Sequence, residues 1–292
     1  MKPPWIRSKL QDPETHLRTR RLLRDFGLNT VCEEALCPNQ SECFGRRTAA
    51  FLILGRTCTR GCAFCAIDHE TNPPAPDSGE PERIAGAAAR LGLKHVVITS
   101  VTRDDLPDGG GGHFAAVVEA LRRHDPSVTV EVLIPDLQGR RESLEVLLRS
   151  RPDVVNHNLE TVARLYPAVR PQAGYRRSLR LLERVKEIDP AMVTKSGIML
   201  GLGEEPQEIL ETMLDLRGAC CDILTLGQYL QPSHRHYPVV RYVTPGEFAD
   251  LRRHGQRMGF RAVFAAPLAR SSFHAAELFD GTLITDSKGA RS

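Results

Sequence analysis

The sequence contains no run of 18 or more apolar residues, so no segment is predicted to span a membrane. Its first residues, MKPPWIRSKL, lack the apolar stretch of a secretory signal peptide, and we expect a cytoplasmic protein. Charge of one sign is not in large excess either. The net charge of +3 is too small to indicate nucleic acid as a partner. The 292 residues, 41% of them hydrophobic and 26% charged, are typical of a globular protein with a substantial core.

The most closely spaced cysteines of the chain form a group of three, without a fourth cysteine beside them. Cys58, Cys62 and Cys65 lie in RTCTRGCAFCAID with spacing C-x3-C-x2-C, and no other cysteine follows nearby. These thiols suit an iron–sulfur cluster, but a four-iron cluster held wholly by protein uses four cysteines, so one iron would stay open. A zinc site with His69 as a distant fourth ligand is the alternative. A disulfide framework is disfavoured because it belongs to small secreted domains.

A second triplet of cysteines precedes the first. Cys32, Cys37 and Cys43 have the spacing C-x4-C-x5-C within TVCEEALCPNQSECFGRR. Pro38 and Asn39 predict a loop, which lets three thiols turn toward one point. Because buried structural thiols would not need this crowding, we predict a second cluster or metal site here.

From Thr48 onward, apolar segments rich in β-branched residues alternate with helical patterns. Six such strand–helix units indicate a parallel sheet with helices outside it, and six rather than eight favour a partial (β/α)6 TIM-like barrel of the α/β class. The strands are predicted at 49–55, 95–100, 129–135, 153–160, 193–200 and 222–230. We assign residues 1–47 to an N-terminal extension, 48–260 to the barrel and 261–292 to a C-terminal extension.

Polar residues follow three of the predicted strands, at the edge where such barrels carry their chemistry. Arg103 and Asp104 could meet the charged ends of a ligand, or simply cap a loop. Asn158 and Glu160 follow the fourth strand, where unpaired polar groups would be costly. Glu160 could accept hydrogen bonds from ribose hydroxyls, or cap the next helix. Glycines in SGIMLGLGE, after the fifth strand, would let the backbone approach a flat ligand such as adenine, or only form a turn.

Three later features have less specific interpretations. The polar stretch 227–245 follows the sixth strand and is interpreted as facing a substrate, with a solvated loop as the alternative. The segment RSS at 270–272 follows a last short strand and would ordinarily be an unremarkable loop. Cys220 and Cys221 fall at the opposite edge of the sheet and are interpreted as structural thiols.

Phe64 completes the pattern C-x3-C-x-Φ-C, which resembles the signature of the radical S-adenosylmethionine (SAM) superfamily. The run SGIMLGLGE resembles a G-x-I-x-G-x-x-E stretch of those enzymes, with Met199 at the Ile position. In that superfamily SAM chelates the open iron through its amino and carboxylate groups. An electron from the cluster then cleaves the sulfonium to a 5′-deoxyadenosyl radical.

The chain as a whole resembles the lipoyl synthase family. The matching segments are VCEEALCPNQSEC, CTRGCAFC, TRDDLPDGG, VNHNLET, KSGIMLGLGE, GQYLQPS and RSSFHA, which together extend from Cys32 to His274. The resemblance implies a sulfurtransferase that inserts sulfur at C6 and C8 of an octanoyl group amide-linked to a lysine. The cofactors implied are two [4Fe–4S] clusters and SAM, and the auxiliary cluster is consumed as the sulfur source.

The resemblance also implies the site residues. The SAM-binding cluster takes Cys58, Cys62 and Cys65, and the auxiliary cluster takes Cys32, Cys37, Cys43 and Ser272. From their places at the strand ends, we expect contacts with SAM from Thr102, Arg103, Asp104, Asn158, Glu160, Gly201 and Glu204. The family commonly has Asn at Thr102, Tyr at Phe273 and a Ser-Gly pair at Ala265 and Ala266, so these departures affect fine contacts and no cluster ligand.

The partners implied are an octanoylated lipoyl carrier domain or the glycine-cleavage H-protein, a reductant such as ferredoxin or flavodoxin, and an iron–sulfur carrier. Carrier domains are generally acidic, which suits the excess of arginine over lysine here, although solvated surface is the simpler interpretation. Two other functions compete with this one. A related radical SAM enzyme could use its second cluster as an electron relay in modifying a peptide, and a non-catalytic iron–sulfur or zinc protein could bind a partner.

Overall fold

The computed structural model describes residues 2–7, 12–46 and 48–282. Its one eight-stranded sheet has the strands side by side in chain order. They are β1 (Asn29–Thr30), β2 (Ala50–Ile53), β3 (His95–Ser100), β4 (Thr129–Leu133), β5 (Val154–Asn156), β6 (Val193–Leu200), β7 (Ile223–Gln228) and β8 (Ala262–Ala266). Strands β2 to β8 are parallel, and β1 is antiparallel to β2. The predicted α/β class and partial barrel are confirmed.

All six predicted strands are present, the last short strand expected before RSS joins the sheet as β8, and β1 adds a strand that was not predicted. Residues of β8 pair in parallel register with β7, for example Ala262 with Ile223. The segment AVFAA is short but mostly buried, as a strand in a helix-covered parallel sheet should be. The residues assigned to the C-terminal extension therefore begin inside the sheet.

The helices lie between the strands and at both ends of the described chain. They are α1 (Pro13–Asp25), α2 (Val31–Glu34), α3 (Gln40–Gly45), α4 (Glu80–Leu91), α5 (Gly111–His124), α6 (Arg141–Arg149), α7 (Tyr166–Val169), α8 (Tyr175–Ile188), α9 (Pro206–Gly218), α10 (Pro245–Arg257) and α11 (Ala275–Phe279). Two short 3-10 turns occur at Leu137–Gly139 and Ala163–Leu165. Among the described residues, no helix is both long enough and apolar enough to cross a membrane.

Local signals fix where the helices after the carboxyl edge begin. Thr244 and Glu247 form a reciprocal capping box at the start of α10, with Pro245 in the first turn. At the start of α9, the Glu208 carboxylate accepts the backbone N–H of Glu205 at 2.8 Å. These signals therefore also fix where the loops after β6 and β7 end.

The two extensions contact each other. The side-chain amide of Asn39 donates to the carbonyl of Leu268 at 2.7 Å, and Arg46 forms an ion pair with Glu277 at 3.0 Å. Gly227 allows the C-terminal segment to cross the end of β7, because a Cβ there would stand 2.1 Å from the carbonyl oxygen of Ala269. The segment around 268–277 is thus held both to the barrel and to the N-terminal cysteine region.

The interior of the barrel contains a buried ion pair. Lys195 of β6 lies 3.0 Å from the carboxylate of Glu131 of β4, and both side chains are at most 1% exposed. Asn156 of β5 donates to the same carboxylate at 3.0 Å. Burial alone would raise the pKa of Glu131, but Lys195 and His95 lower it below its usual value. Three strands are therefore linked through one buried charge.

Replacing Lys195 with Met should lower the free energy of unfolding by about 3 to 5 kcal/mol, because the Glu131 carboxylate then stays buried without its cation. The double variant Lys195→Met with Glu131→Gln should recover most of that loss, since it keeps an acceptor for Asn156 and removes the charge. Urea denaturation followed by circular dichroism measures both variants. Equal destabilisation of the two would contradict this role of the pair.

Candidate functional site

The first cysteine triad lies in the loop after β2, at the carboxyl edge of the sheet. The Cys58 sulfur accepts the backbone N–H groups of Arg60 at 3.4 Å and Thr102 at 3.3 Å. Burial raises the pKa of Cys65 to about 12, and Cys62 and Cys58 add to that rise. The three thiols are thus close enough to oppose one another's ionisation. Thr102 takes part through its backbone, which joins the loop after β3 to the cysteine loop.

Arg60, between the first two cysteines of this triad, anchors the loop. Its guanidinium donates to Asp104 at 2.6 and 2.8 Å and to Asp136 at 2.7 and 3.0 Å. Arg177 also binds Asp136 at 2.7 Å. Burial would raise the pKa of Asp136, but Arg60 holds it far below its usual range. The loops after β2, β3 and β4 are therefore joined by one charged network, which the sequence did not reveal.

Two residues predicted to contact SAM are engaged inside the protein. Asp104 is a partner of Arg60, as described above. Arg103 is 1% exposed and donates to Asp105 at 2.7 Å and to the carbonyl of Leu54 at 3.1 Å. Both side chains support the loops at the edge of the site, and their contact with SAM stays a prediction.

The loop after β5 brings Asn158 and Glu160 together. Asn158 donates to the Glu160 carboxylate at 3.0 Å. Glu160 has a left-handed backbone, with φ of 67°, and its N–H and carbonyl bind Gly197 and Met199 of β6. Burial raises the pKa of Glu160, and Arg170 opposes that rise.

Arg170 is a site residue that the sequence analysis missed. Its guanidinium donates to the carbonyls of Asn158 at 3.0 Å and Leu159 at 3.1 Å. It also lies beside the Cys62 thiol, whose pKa is raised by burial while Arg170 opposes the rise. The Nε atom of Arg170 is buried and has no hydrogen-bond partner among the described residues. An arginine in AVRPQ carries no sequence signal that would have singled it out.

The turn after β6 contains the other two predicted SAM contacts. The Glu204 carboxylate accepts the backbone N–H groups of Gly201 at 2.6 Å and Leu202 at 2.9 Å, which closes the turn. A Cβ on Gly201 would stand 2.2 Å from the Gln228 side-chain nitrogen and 2.4 Å from the Arg241 carbonyl. A residue with a Cβ would therefore prevent the loop after β7 from approaching this turn so closely. Contact of Gly201 with adenine stays a prediction.

The loop after β7 contacts the loop that carries the first cysteine triad. The N–H of Tyr237 donates to the carbonyl of Ala63 at 2.7 Å, and the Tyr229 hydroxyl donates to the carbonyl of Tyr237 at 2.7 Å. His234 and Arg235 are exposed on this loop. The stretch predicted to face a substrate thus borders the site.

The loop predicted at Pro38 and Asn39 is present as a turn, and the short helices α2 and α3 on either side of it were not predicted. Cys32 lies in α2 and Cys43 in α3, with Cys37 between them. Burial raises the pKa of Cys32 to about 12, with Cys37 adding to the rise. The pKa of Cys43 is also raised, first by burial and then by Cys32 and Cys37. These three thiols are thus also near enough to oppose one another's ionisation.

The RSS segment contacts the loop after β5 and lies near Cys37 of the second triad. The Ser271 hydroxyl donates to the side-chain oxygen of Asn158 at 2.8 Å. Burial lowers the pKa of the Arg270 guanidinium. The nearby Cys37 and Glu160 oppose that fall. Ser272 is half-buried on the same segment. Phe273 packs against the ring of Phe264 in β8, at 6.2 Å between centroids.

The donor set fits iron–sulfur clusters better than zinc. All eight cysteines are free thiols. His69, the candidate fourth zinc ligand, hydrogen-bonds the Cys58 carbonyl at 2.9 Å. Within the described ranges, no three Cys, His, Asp or Glu residues form a group suited to a single metal ion. A four-iron cube holds its ligands further apart than one ion does, and it supplies the positive charge that crowded, buried thiolates need.

Comparison with known proteins is consistent with this geometry. The model of the radical SAM superfamily matches residues 52–216. Lipoyl synthase of Alkaliphilus metalliredigens is 52% identical over 279 residues, which cover 96% of both chains. Lipoyl synthase of Methylococcus capsulatus is 55% identical over 275 residues, which cover 94% of this chain and 85% of that one.

Solved structures support the fold. Methylornithine synthase superposes with a TM-score of 0.54 at 14% identity and covers 87% of this chain and 82% of its own. SuiB of Streptococcus suis, bound to S-adenosylmethionine, superposes with a TM-score of 0.56 at 15% identity and covers 86% and 60%. The sequence relatives, which match nearly the whole length at over half identity, decide the family. This chain belongs to the lipoyl synthase family of the radical SAM superfamily.

Proposed function

We propose that the two cysteine triads divide the family's reaction between them. Family membership makes the chain a sulfurtransferase that depends on [4Fe–4S] clusters and SAM. In our proposal, sulfur from the auxiliary cluster enters at C6 and C8 of a protein-bound octanoyl-lysine. The proposed ligands are Cys58, Cys62 and Cys65 for the SAM-binding cluster, and Cys32, Cys37, Cys43 and Ser272 for the auxiliary cluster.

The observation that carries this proposal is the double attachment of the C-terminal segment. On one side, Asn39 of the second triad's region binds the Leu268 carbonyl. On the other side, the Ser271 hydroxyl donates to the side-chain oxygen of Asn158, and the side-chain nitrogen of Asn158 donates to Glu160. A serine ligand on this segment would bring the auxiliary cluster next to the SAM site, as sulfur transfer to a short-lived carbon radical requires.

The residues of the chain supply position, charge and exclusion of water, while the bound SAM and clusters supply the radical and the sulfur. Arg170 would balance the charge of the Cys62 thiolate, and Arg270 that of the Cys37 thiolate. A serine oxygen is a harder ligand than a thiolate and should hold its iron less tightly. That weakness suits a cluster that must give up sulfur.

The substrate in this proposal is an octanoylated lipoyl carrier domain or the glycine-cleavage H-protein. An acidic carrier surface would meet the exposed His234 and Arg235 on the loop that borders the site. Ferredoxin or flavodoxin would supply electrons, and an iron–sulfur carrier would rebuild the auxiliary cluster. A cytoplasmic location stays a prediction, which the eight free thiols support because reducing compartments keep cysteines unpaired.

Replacing Cys62 with Ala should abolish cleavage of SAM, because the cluster that binds SAM loses a ligand. The measurement is 5′-deoxyadenosine, quantified by mass spectrometry after anaerobic reconstitution and reduction. Cys220→Ala is the matched control, since Cys220 is exposed between α9 and β7, away from the site edge. Release of 5′-deoxyadenosine by the Cys62 variant at the rate of the control would refute the assignment.

Replacing Cys37 with Ala should leave SAM cleavage in place and stop the formation of lipoyl product. Iron analysis should show the loss of one cluster, and mass spectrometry of an octanoylated peptide reports the sulfur that is added. Lipoyl product from this variant would overturn the role of the second triad as the donor site.

Without rebuilding of the cluster, the unmodified enzyme should make at most about one lipoyl product per chain, because a donor that is consumed cannot turn over. Product counted against enzyme over a long anaerobic incubation tests this limit. Several products per chain would instead favour an auxiliary cluster that relays electrons.

A further inference from the structure

Three polar side chains meet above Gly197 of β6. A Cβ at this position would stand 2.8 Å from the Thr225 hydroxyl and 2.9 Å from both the Asn158 side-chain oxygen and the Ser271 hydroxyl. These distances are shorter than a Cβ tolerates, so the glycine leaves the space in which the three groups gather. Strands β6 and β7, the loop after β5 and the C-terminal segment are joined at this point.

The Ser271 hydroxyl and the Glu160 carboxylate hold the two ends of the Asn158 amide. An asparagine amide has one accepting end and one donating end. Ser271 donates to the oxygen at 2.8 Å, and the nitrogen donates to Glu160 at 3.0 Å. The carboxylate only accepts, so it fixes the amide nitrogen on its own side, and Ser271 holds the oxygen at the other end in place. The hydroxyl therefore holds both Asn158 and, through it, Glu160.

We infer that Ser271 is a positioning residue for SAM, which orients Asn158 and Glu160 from the segment that carries Ser272. The inference rests on the proposed function, in which Asn158 and Glu160 contact SAM and Ser272 is a ligand of the auxiliary cluster. The two neighbouring serines then have different tasks, one in each site.

A consequence of this arrangement is coupling between the two sites. The Ser271–Asn158 hydrogen bond forms only when the RSS segment lies against the loop after β5. Whatever orders that segment also orients Asn158, and SAM bound to Asn158 favours the ordered segment in return. Buried charges support the same placement, because Glu160 lies within reach of both Arg170 and Arg270.

The test is the dissociation constant of SAM, measured by anaerobic equilibrium dialysis on the reconstituted, unreduced enzyme. Ser271→Ala should weaken SAM binding by about 3- to 10-fold, the usual effect of losing one hydrogen bond. The KM for SAM in the cleavage reaction should rise by a similar factor with little change in kcat, and the spectra of both clusters should be retained. Gly197→Ala should weaken SAM binding in the same direction, since its methyl group displaces the Ser271 and Asn158 side chains.

The matched control is Ser127→Ala, which removes a hydroxyl from the exposed turn before β4, where its partner is Asp125. It should leave SAM binding unchanged. Ser271→Ala should also have no further effect in an Asn158→Ala background, because the hydroxyl acts through that amide. Additive losses in the double variant would overturn the inference.

The outcomes separate the inference from the proposed function. If Asn158→Ala leaves SAM binding intact, the proposed contact between Asn158 and SAM is wrong. If Asn158→Ala weakens SAM binding and Ser271→Ala binds SAM like the Ser127→Ala control, the contact stands and the role of Ser271 is refuted.

Discussion

The parallel alignment of β2 to β8 is the constraint on which the site depends. Because neighbouring strands run the same way in chain order, every loop that follows a strand leaves the sheet at the same edge. The cysteine loop, Asn158, the turn at Gly201 and the RSS segment follow four different strands, yet they meet there. A single long loop could not replace this arrangement. Its buried backbone N–H and C=O groups would lack the hydrogen-bond partners that the strands provide.

The second requirement is balance of charge in a region with little water. The thiols of the two triads are half-buried, or buried in the case of Cys32, and in each triad neighbouring thiols make ionisation harder. A buried charge is tolerated when it is paired. Arg60 meets two carboxylates, while Arg170 and Arg270 lie near Glu160 and near one cysteine of each triad. This distribution places one guanidinium beside a cysteine of each triad, where it can balance the negative charge of a thiolate ligand.

The described parts of the two terminal extensions contact each other and reach Asn158 in the loop after β5. Asn39 and Arg46 fasten the second triad's region to the C-terminal segment, and Gly227 lets that segment cross the end of β7. The closeness of Ser271 to Asn158 is a product of these contacts. Residues more than a hundred positions apart are therefore in direct contact.

The sequence by itself determined the alternation of strands and helices, the two cysteine triplets and the family resemblance, because hydrophobic periodicity and motif spacing are local properties. It also located Asn158, Glu160 and Gly201 at strand ends. Only the tertiary structure decided the partners of these groups: that Arg103 and Asp104 are engaged in ion pairs, that Arg170 stands beside Cys62, and that β8 joins the sheet. The physical reason is that hydrogen bonds and buried charges depend on which segments meet in space, and spacing along the chain does not specify that.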